Sequence, residues 1–252
     1  IYTIKPCVPP LWRRKAFSAY PSRLFFNPLS IISVYCLEMK KIVILDFDGT
    51  LADTKPVIVN TFHRTLSAMH LPPHTDAEIA ATIGLPLLEA FPVLEPMTAG
   101  MAQACTHCYR RIFEDVNREL GVPMFPQVAA TLRQLHARGL LLTIATSRGH
   151  QSVCQFIHTF HLNHIISYVV GAEDVTLAKP HAEPVSKTLA HFSLEPADAV
   201  VVGDTHFDIL MGRNAGCATI GVTYGNGSRQ SLMQAGADAI ADHFEQIADM
   251  IQ

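Results

Sequence analysis

Residues 40–53 read Lys40-Lys41-Ile42-Val43-Ile44-Leu45-Asp46-Phe47-Asp48-Gly49-Thr50-Leu51-Ala52-Asp53. Four branched apolar residues lead into two carboxylates, Asp46 and Asp48. An apolar run that ends in acids is typical of a buried parallel strand that carries charge to a crevice at the carboxyl end of a sheet. Alternate residues of a strand share a side, so both carboxylates are expected to face that crevice. Because neighbouring carboxylates repel unless a cation lies between them or one holds a proton, the stretch predicts a metal site, acid–base chemistry, or both.

The overall composition predicts a globular protein with a large core. The chain has 252 residues, of which 49% are hydrophobic and 16% charged, and this fits one domain with an insertion or two small domains. The net charge of -3 does not favour a nucleic-acid-binding protein. Six scattered cysteines predict reduced thiols in a cytoplasmic protein. No apolar run reaches the roughly 18 residues of a membrane span, so no membrane association is expected.

Residues 1–38 differ in composition from the rest of the chain. They contain five basic residues and a single acid, Glu38, and the next residue is Met39. We interpret residues 1–38 as a non-native or disordered extension, upstream translated sequence or a tag, and Met39 as the functional start. The alternatives are an arginine-rich targeting peptide and a secretory signal.

Residues from about 57 to 122 show helical patterns only. Thr75 and Glu78 fit a capping box at the start of a short helix. From Thr98 to about Leu120, apolar residues recur every three or four positions, which predicts one buried stripe on a long helix. The residues of this stripe are Met101, Cys105, Cys108, Ile112, Val116 and Leu120.

Strand and helix patterns alternate through the remainder of the chain. After the first strand, buried strands are predicted at residues 140–145, 165–170, 199–202 and 218–222, with a weaker strand–helix pair at 237–251. This alternation predicts an α/β fold with a doubly wound parallel sheet. We assign residues 39–56 and 123–252 to this core, and residues 57–122 to an all-helical insertion.

Polar side chains follow four of the five main strands. They are Asp46, Asp48 and Thr50, then Thr146 and Ser147, then Lys179, and finally Asp204 and Asp208. In a doubly wound sheet these positions lie near one ligand crevice. Hard oxygen ligands suit Mg²⁺, while a lysine and hydroxyl groups suit the oxygens of a phosphoryl group. Taken singly, Asp48 or Asp208 also fits a helix cap and Lys179 a solvated surface, so only the joint pattern predicts a site.

Four motifs resemble, in order, the signature motifs of the haloacid-dehalogenase-like (HAD) superfamily. They are Asp46-Phe47-Asp48-Gly49-Thr50, Thr146 at a strand end, Lys179-Pro180, and Gly203-Asp204 with Asp208 four residues later. The resemblance covers residues 40–252 and implies a Rossmann-type core. The helical block stands where phosphoglycolate phosphatases, β-phosphoglucomutases and haloacid dehalogenases carry a cap.

The resemblance also implies a role for each motif residue. Asp46 is implied to be the nucleophile that forms an aspartyl-phosphate, and Asp48 the acid–base residue. Phosphoryl binding is implied for Thr146, Ser147 and Lys179. Mg²⁺ binding is implied for Asp46, Asp204 and the backbone carbonyl of Asp48. Thr50 and Asp208 are implied to support these ligands.

Several residues distinguish branches of the family. Asp48 argues against a dehalogenase, which needs no acid for its leaving group, and Gly203 stands where β-phosphoglucomutases typically have an acidic residue. The Ile83-Gly84-Leu85-Pro86 loop is similar to the phosphoglycolate-phosphatase branch. Arg148 and Ala182 depart from the residues common in the family, and neither is expected to touch the chemistry.

Other suggestive residues have simpler interpretations. Cys105 and Cys108 have the spacing of a metal half-site, but they lack a second pair and are expected to pack in the insert. Arg110 and Arg111 are interpreted as solvated in preference to binding a substrate anion. Residues 225–227, Gly-Asn-Gly, predict a turn.

The resemblance and the motifs together predict a Mg²⁺-dependent phosphatase of a small phosphomonoester, with phosphoglycolate as the first candidate. Alternatives are a pyrophosphatase, a β-phosphoglucomutase-like phosphomutase and a non-catalytic binding protein of the same fold. The expected partner is a small phosphorylated metabolite, without nucleic acid or membrane, and the expected assembly is a monomer or homodimer in the cytoplasm.

Overall fold

A six-stranded parallel sheet forms the centre of the structure, a computed structural model that describes residues 39–251. The strands are β1 (Ile42–Leu45), β2 (Leu141–Ala145), β3 (Ile166–Val170), β4 (Ala199–Gly203), β5 (Ala218–Val222) and β6 (Ala239–Ala241). Their order is β3-β2-β1-β4-β5-β6, and all neighbours are parallel. The predicted doubly wound α/β fold is therefore confirmed, while the interpretation of residues 1–38 lies outside the described residues.

Strand β1 lies in the middle of the sheet because it is apolar on both faces. All four of its residues are fully buried, and Leu45 pairs with Ile144 of β2 on one side and Val202 of β4 on the other. The order of the strands reverses at this point, so the chain leaves β1 between the carboxyl ends of two neighbours. Such a switch point is where open α/β sheets bind their ligands.

Ten α-helices accompany these strands in residues 39–251. They are α1 (Lys55–Ala68), α2 (Asp76–Ala80), α3 (Leu87–Leu94), α4 (Ala99–Leu120), α5 (Val128–Ala137), α6 (His150–Thr159), α7 (Glu183–Phe192), α8 (His206–Asn214), α9 (Arg229–Gln234) and α10 (Ile247–Met250). We call α1–α4, which follow β1 without an intervening strand, the helical insert. Within residues 39–251, no helix is both long and apolar enough to cross a bilayer.

The helical insert has an aromatic centre. Phe62 of α1 lies 4.8 Å from Phe91 of α3 and 5.0 Å from Tyr109 of α4, measured between ring centroids. Tyr109 in turn stacks on Phe113 at 6.0 Å. Tilted and edge-on aromatic pairs at these distances are favourable beyond the apolar area that they bury. The predicted capping box of α2 is confirmed, since Thr75 and Glu78 each bond the other's backbone amide.

The predicted stripe on α4 is wrong at its ends. Cys105 and Val116 are buried, but Met101 and Leu120 remain 39% and 51% exposed. The buried face instead consists of Ala102, Cys105, Thr106, Tyr109, Phe113 and Val116. Tyr109 and Phe113 are the largest of these side chains, and the packing of Tyr109 against α1 and α3 turns the helix away from the predicted stripe.

Helix α8 lies close against the sheet because Gly212 has no side chain. A Cβ atom at Gly212 would stand 2.6 Å from a methyl group of Thr219 and 2.9 Å from Cβ of Val201, on β5 and β4. Both neighbours are fully buried and have no room to move. This contact sets the short distance between the second half of α8 and the strands β4 and β5.

Gly212→Ala is expected to lower the free energy of unfolding by about 1–2 kcal/mol, because over-packing outweighs the gain in helix propensity. Gly100→Ala on α4 is the matched control, since a Cβ there meets nothing within 4 Å. That variant is expected to be neutral or up to about 1 kcal/mol more stable. Urea unfolding of both variants measures the difference, and equal stabilities would contradict the packing argument.

Candidate active site

Lys179 joins two of the predicted site carboxylates. Its ammonium nitrogen lies 2.5 Å from Oδ1 of Asp46 and 2.6 Å from Oδ1 of Asp208, and all three side chains are buried. Burial would lower the pKa of Lys179, but the charges of Asp208 and Asp46 outweigh it and raise that pKa above its ordinary range. The lysine is therefore a permanent cation between the loop after β3, the end of β1 and the start of α8.

The surroundings of Asp46 disfavour the ionised form of its carboxyl group. Burial raises its pKa well above the ordinary value, although the charge of Lys179 acts in the opposite direction, and the carboxylates of Asp208 and Asp204 add to the shift. A further cation next to Asp46 would favour its ionised form.

Asp204 follows β4 and is held from two sides. Its Oδ1 accepts a hydrogen bond from the Thr50 hydroxyl at 3.2 Å, and its Oδ2 accepts from the backbone amide of Asn226 at 2.6 Å and the side-chain amide at 3.1 Å. Burial and the charge of Asp208 raise the pKa of Asp204 to about 7. The turn predicted at residues 225–227 thus also contacts a site carboxylate, a role that sequence reasoning missed.

Three carboxylates form a group that could hold a metal ion. Ligand oxygens of Asp46, Asp204 and Asp208 all lie within 4.8 Å of one another, and the three side chains are buried. Buried hard oxygen donors in this number suit Mg²⁺, which takes one or two carboxylates and completes its shell with water and substrate oxygens. The group contains Asp208, whereas the sequence predicted the Asp48 carbonyl beside Asp46 and Asp204.

Two glycines make this close approach of carboxylates possible. At Gly203, a Cβ would lie 2.2 Å from Cβ of Asp208, so any larger residue at the end of β4 would push α8 away. At Gly49, where φ is +84°, a Cβ would lie 2.2 Å from Oδ2 of Asp204. The motif glycines are therefore needed for space as well as for backbone conformation.

Asp208 has two separate contacts. Its Oδ1 binds Lys179, while its Oδ2 accepts hydrogen bonds from the Thr205 amide at 3.0 Å and the Thr205 hydroxyl at 2.7 Å. The second contact is a capping box at the start of α8. One side chain thus fixes the helix start and orients the buried lysine.

The structure places the predicted phosphoryl-binding residues of β2 next to the acids. Thr146 is buried, and its Oγ1 accepts a hydrogen bond from the Arg148 amide at 3.2 Å, which leaves its hydroxyl hydrogen free to donate. The Ser147 hydroxyl donates to the Gly84 carbonyl of the helical insert at 2.6 Å. Ser147 therefore contacts the insert, and its role toward phosphate stays a prediction.

The sequence predicted that Arg148 does not touch the chemistry, but in the structure its guanidinium group pairs with Asp48, a candidate acid–base residue. Its Nη2 lies 2.6 Å from Oδ1 of Asp48, and its Nε lies 3.1 Å from both carboxylate oxygens. Only the position of Arg148 two residues beyond Thr146, at a strand end next to β1, signalled this contact in the sequence.

A cavity of about 580 Å³ lies between these residues and the helical insert. Asp46, Asp48 and Thr146 line it from the sheet, and side chains that include Ile58, Leu87 and Arg110 line it from the insert. Arg111 does not line this cavity. The cavity has the size of a small-molecule site. Charged residues line it from both sides, and those of the helical insert are Arg110 and Glu114.

The family of the chain follows from comparison with known proteins. The model for haloacid dehalogenase-like hydrolases matches residues 43–222, which contain every site residue described above except those of the turn. The chain belongs to the haloacid dehalogenase-like hydrolase family. This membership, together with the phosphatase relatives, confirms the predicted family and the predicted enzyme class, a hydrolase that acts on phosphate esters.

Two curated relatives and one solved structure illustrate the similarity. The chain is 34% identical over 212 residues, 83% of this chain and 92% of the relative, to "Probable phosphatase IndB" of Dickeya dadantii. It is 32% identical to "Pyrophosphatase PpaX" of Anoxybacillus flavithermus over 75% of this chain and 86% of the relative. It is 26% identical, with a TM-score of 0.74, to a "predicted phosphoglycolate phosphatase" of Haemophilus somnus, over 84% of this chain and 98% of that one.

The raised pKa of Asp204 predicts a pH dependence of stability without metal. The folded protein keeps a proton on Asp204 up to about pH 7, whereas the ordinary value is 3.8. The contribution of this proton to the free energy of unfolding is fully present below about pH 4. It decreases by at most about 1.4 kcal/mol per pH unit as the pH rises, and it is lost once the pH has passed 7.

The free energy of unfolding in EDTA is therefore expected to fall between pH 4 and 7 more steeply in the wild type than in Asp204→Asn. Urea unfolding across this range measures both slopes. Asp249→Asn, at an exposed carboxylate, is the control and should keep the wild-type slope. Identical slopes in all three proteins would contradict the assignment to Asp204.

Proposed function

We propose that the protein is a Mg²⁺-dependent phosphatase that hydrolyses a small phosphomonoester through an aspartyl-phosphate on Asp46. The observation that carries this proposal is the buried Asp46 carboxylate, 2.5 Å from Lys179 and grouped with Asp204 and Asp208 at one end of the cavity. A carboxylate that lies between a fixed cation and further carboxylates able to bind a metal ion is in surroundings suited to a nucleophile that attacks phosphorus.

The first half-reaction uses Asp46 as nucleophile. An Asp46 oxygen forms a bond to phosphorus while the bond from phosphorus to the leaving oxygen breaks. Lys179 has three N–H donors, of which two bind carboxylates and the third is available to a phosphoryl oxygen. The hydroxyl of Thr146 is a further donor for such an oxygen. Asp48 donates its proton to the leaving oxygen. Asp204, Asp208 and Asp46 would hold Mg²⁺, which when bound neutralises charge on the phosphoryl group.

The second half-reaction restores Asp46. Asp48, now a carboxylate, accepts a proton from water as that water attacks phosphorus, and the bond from phosphorus to Asp46 breaks. The products are the free alcohol, inorganic phosphate and the original enzyme. Closure of the helical insert over the cavity would exclude other water during this sequence.

A small anionic phosphomonoester such as phosphoglycolate is the first substrate candidate. Arg110 is the one arginine of the helical insert that lines the cavity, and it stands ready for a carboxylate of the leaving group. The Haemophilus somnus structure described as a "predicted phosphoglycolate phosphatase" supports this candidate. Pyrophosphate is the second candidate, because the Anoxybacillus flavithermus relative is named a pyrophosphatase.

A phosphatase screen with and without Mg²⁺ tests the reaction. The wild type is expected to release phosphate from small phosphomonoesters only with Mg²⁺, and Asp46→Asn is expected to lower kcat by on the order of 10³-fold or more. Asp53→Asn, the same change outside the cavity lining, is the matched control. Absence of turnover by the wild type would overturn the hydrolase proposal. Interconversion of sugar phosphates without phosphate release would favour a phosphomutase.

The substrate proposal has its own test. Arg110→Ala is expected to raise KM for phosphoglycolate by about 10-fold or more, because a charge-assisted hydrogen bond to the carboxylate is lost. The same variant is expected to leave p-nitrophenyl phosphate, which has no carboxylate, nearly unaffected. Arg111→Ala is the neighbouring control. A uniform change for both substrates would argue against recognition of the carboxylate by Arg110.

A further inference from the structure

Arg148 is the partner of the Asp48 side chain in the described part of the chain. The fork formed by Nε and Nη2 contacts both carboxylate oxygens, at 3.1 Å from Nε to each and 2.6 Å from Nη2 to Oδ1. No other side-chain hydrogen bond to Asp48 occurs among residues 39–251. The orientation of this carboxylate therefore depends on one guanidinium group.

The guanidinium group is itself held in a fixed position. Its central carbon lies 4.6 Å from the ring centroid of Phe113, 5.4 Å from that of Phe156 and 5.7 Å from that of Phe47. These distances fall within the range of cation–π contacts. Nη1 donates to the Ser152 hydroxyl at 3.3 Å. The Arg148 side chain is only 8% exposed, so it has little freedom to reorient.

The surroundings of Arg148 come from both parts of the molecule. Phe47 follows β1 and Phe156 belongs to α6, whereas Phe113 belongs to α4 of the helical insert. The backbone amide of Arg148 also contacts Oγ1 of Thr146 at 3.2 Å. One residue thus contacts the proposed acid–base group, a proposed phosphoryl-binding hydroxyl and the wall formed by the insert.

We propose that Arg148 is a positioning residue that directs the Asp48 carboxyl group toward the leaving oxygen. This inference rests on the proposed function, in which Asp48 transfers the proton. The aromatic rings fix the guanidinium group, and its fork fixes the plane of the carboxyl group. A lysine would keep the charge but would lose the fork, so it would orient Asp48 poorly.

The choice of leaving group separates this role from a general structural one. An alkyl phosphate expels an alkoxide and needs the proton from Asp48, whereas p-nitrophenyl phosphate expels a stable phenolate and needs it little. Because kcat/KM reports only the steps up to formation of the aspartyl-phosphate, it isolates the proton donation. General acid catalysis contributes about 10²–10⁴-fold, which sets the expected size of the effect.

Arg148→Ala is expected to lower kcat/KM for an alkyl phosphate by about 100-fold and for p-nitrophenyl phosphate by less than about 5-fold. Arg148→Lys is expected to lose about 10-fold on the alkyl phosphate, and it carries the test if Arg148→Ala does not fold. In an Asp48→Asn background, Arg148→Ala is expected to cost less than about 2-fold, because two residues that act as one unit are not additive.

Arg229→Ala is the matched control, since it removes an arginine from an exposed pair with Asp242 outside the cavity lining. Equal losses of kcat/KM on both substrates in Arg148→Ala, or full losses that persist in the Asp48→Asn background, would overturn the inference. Failure of the proposed function looks different, because the wild type would then show no phosphatase activity or Asp46→Asn would retain it.

Discussion

The ion pairs of the buried Lys179 are the interaction on which the site depends. Three carboxylates lie together at the switch point of the sheet, and burying such charges is costly unless they are paired. Lys179 pairs with Asp46 and Asp208, which leaves Asp204 to polar contacts with Thr50 and Asn226. The protein has thus compensated part of the negative charge, and the raised pKa of Asp204 reflects the part that a divalent cation would neutralise.

Much of the fold could be predicted because it follows from local patterns. The apolar run before Asp46 is buried on both faces and forms the central strand, and alternation of strands with helices specifies a parallel sheet. Because parallel strands end at one edge of a sheet, the sequence alone predicts that Asp46, Thr146 and Asp204 lie near each other. In the structure Asp46 and Thr146 line one cavity, and ligand oxygens of Asp46 and Asp204 lie within 4.8 Å of each other, although the role of each residue remains a proposal.

Other parts depend on contacts between residues far apart in the chain, which spacing alone does not encode. Asn226 reaches Asp204 across 22 positions, and Arg148 reaches Asp48 across 100. The orientation of α4 was misjudged for the same reason, because Tyr109 turns toward aromatic rings of other helices and not toward the regular apolar stripe. A pattern in one helix shows that a buried face exists, whereas its partners decide where that face lies.

The cavity has consequences for how such an enzyme diverges. Residues proposed for the chemistry stand at strand ends, while Leu87 and Arg110, which line the cavity from the helical insert, belong to a separate run of the chain. A substitution in that run would change the wall of the cavity without replacing a residue proposed for the chemistry. Arg148 limits this independence, because Phe113 of the insert supports the guanidinium group that binds Asp48. A change at Phe113 would therefore alter the support of this guanidinium group as well as the wall of the cavity.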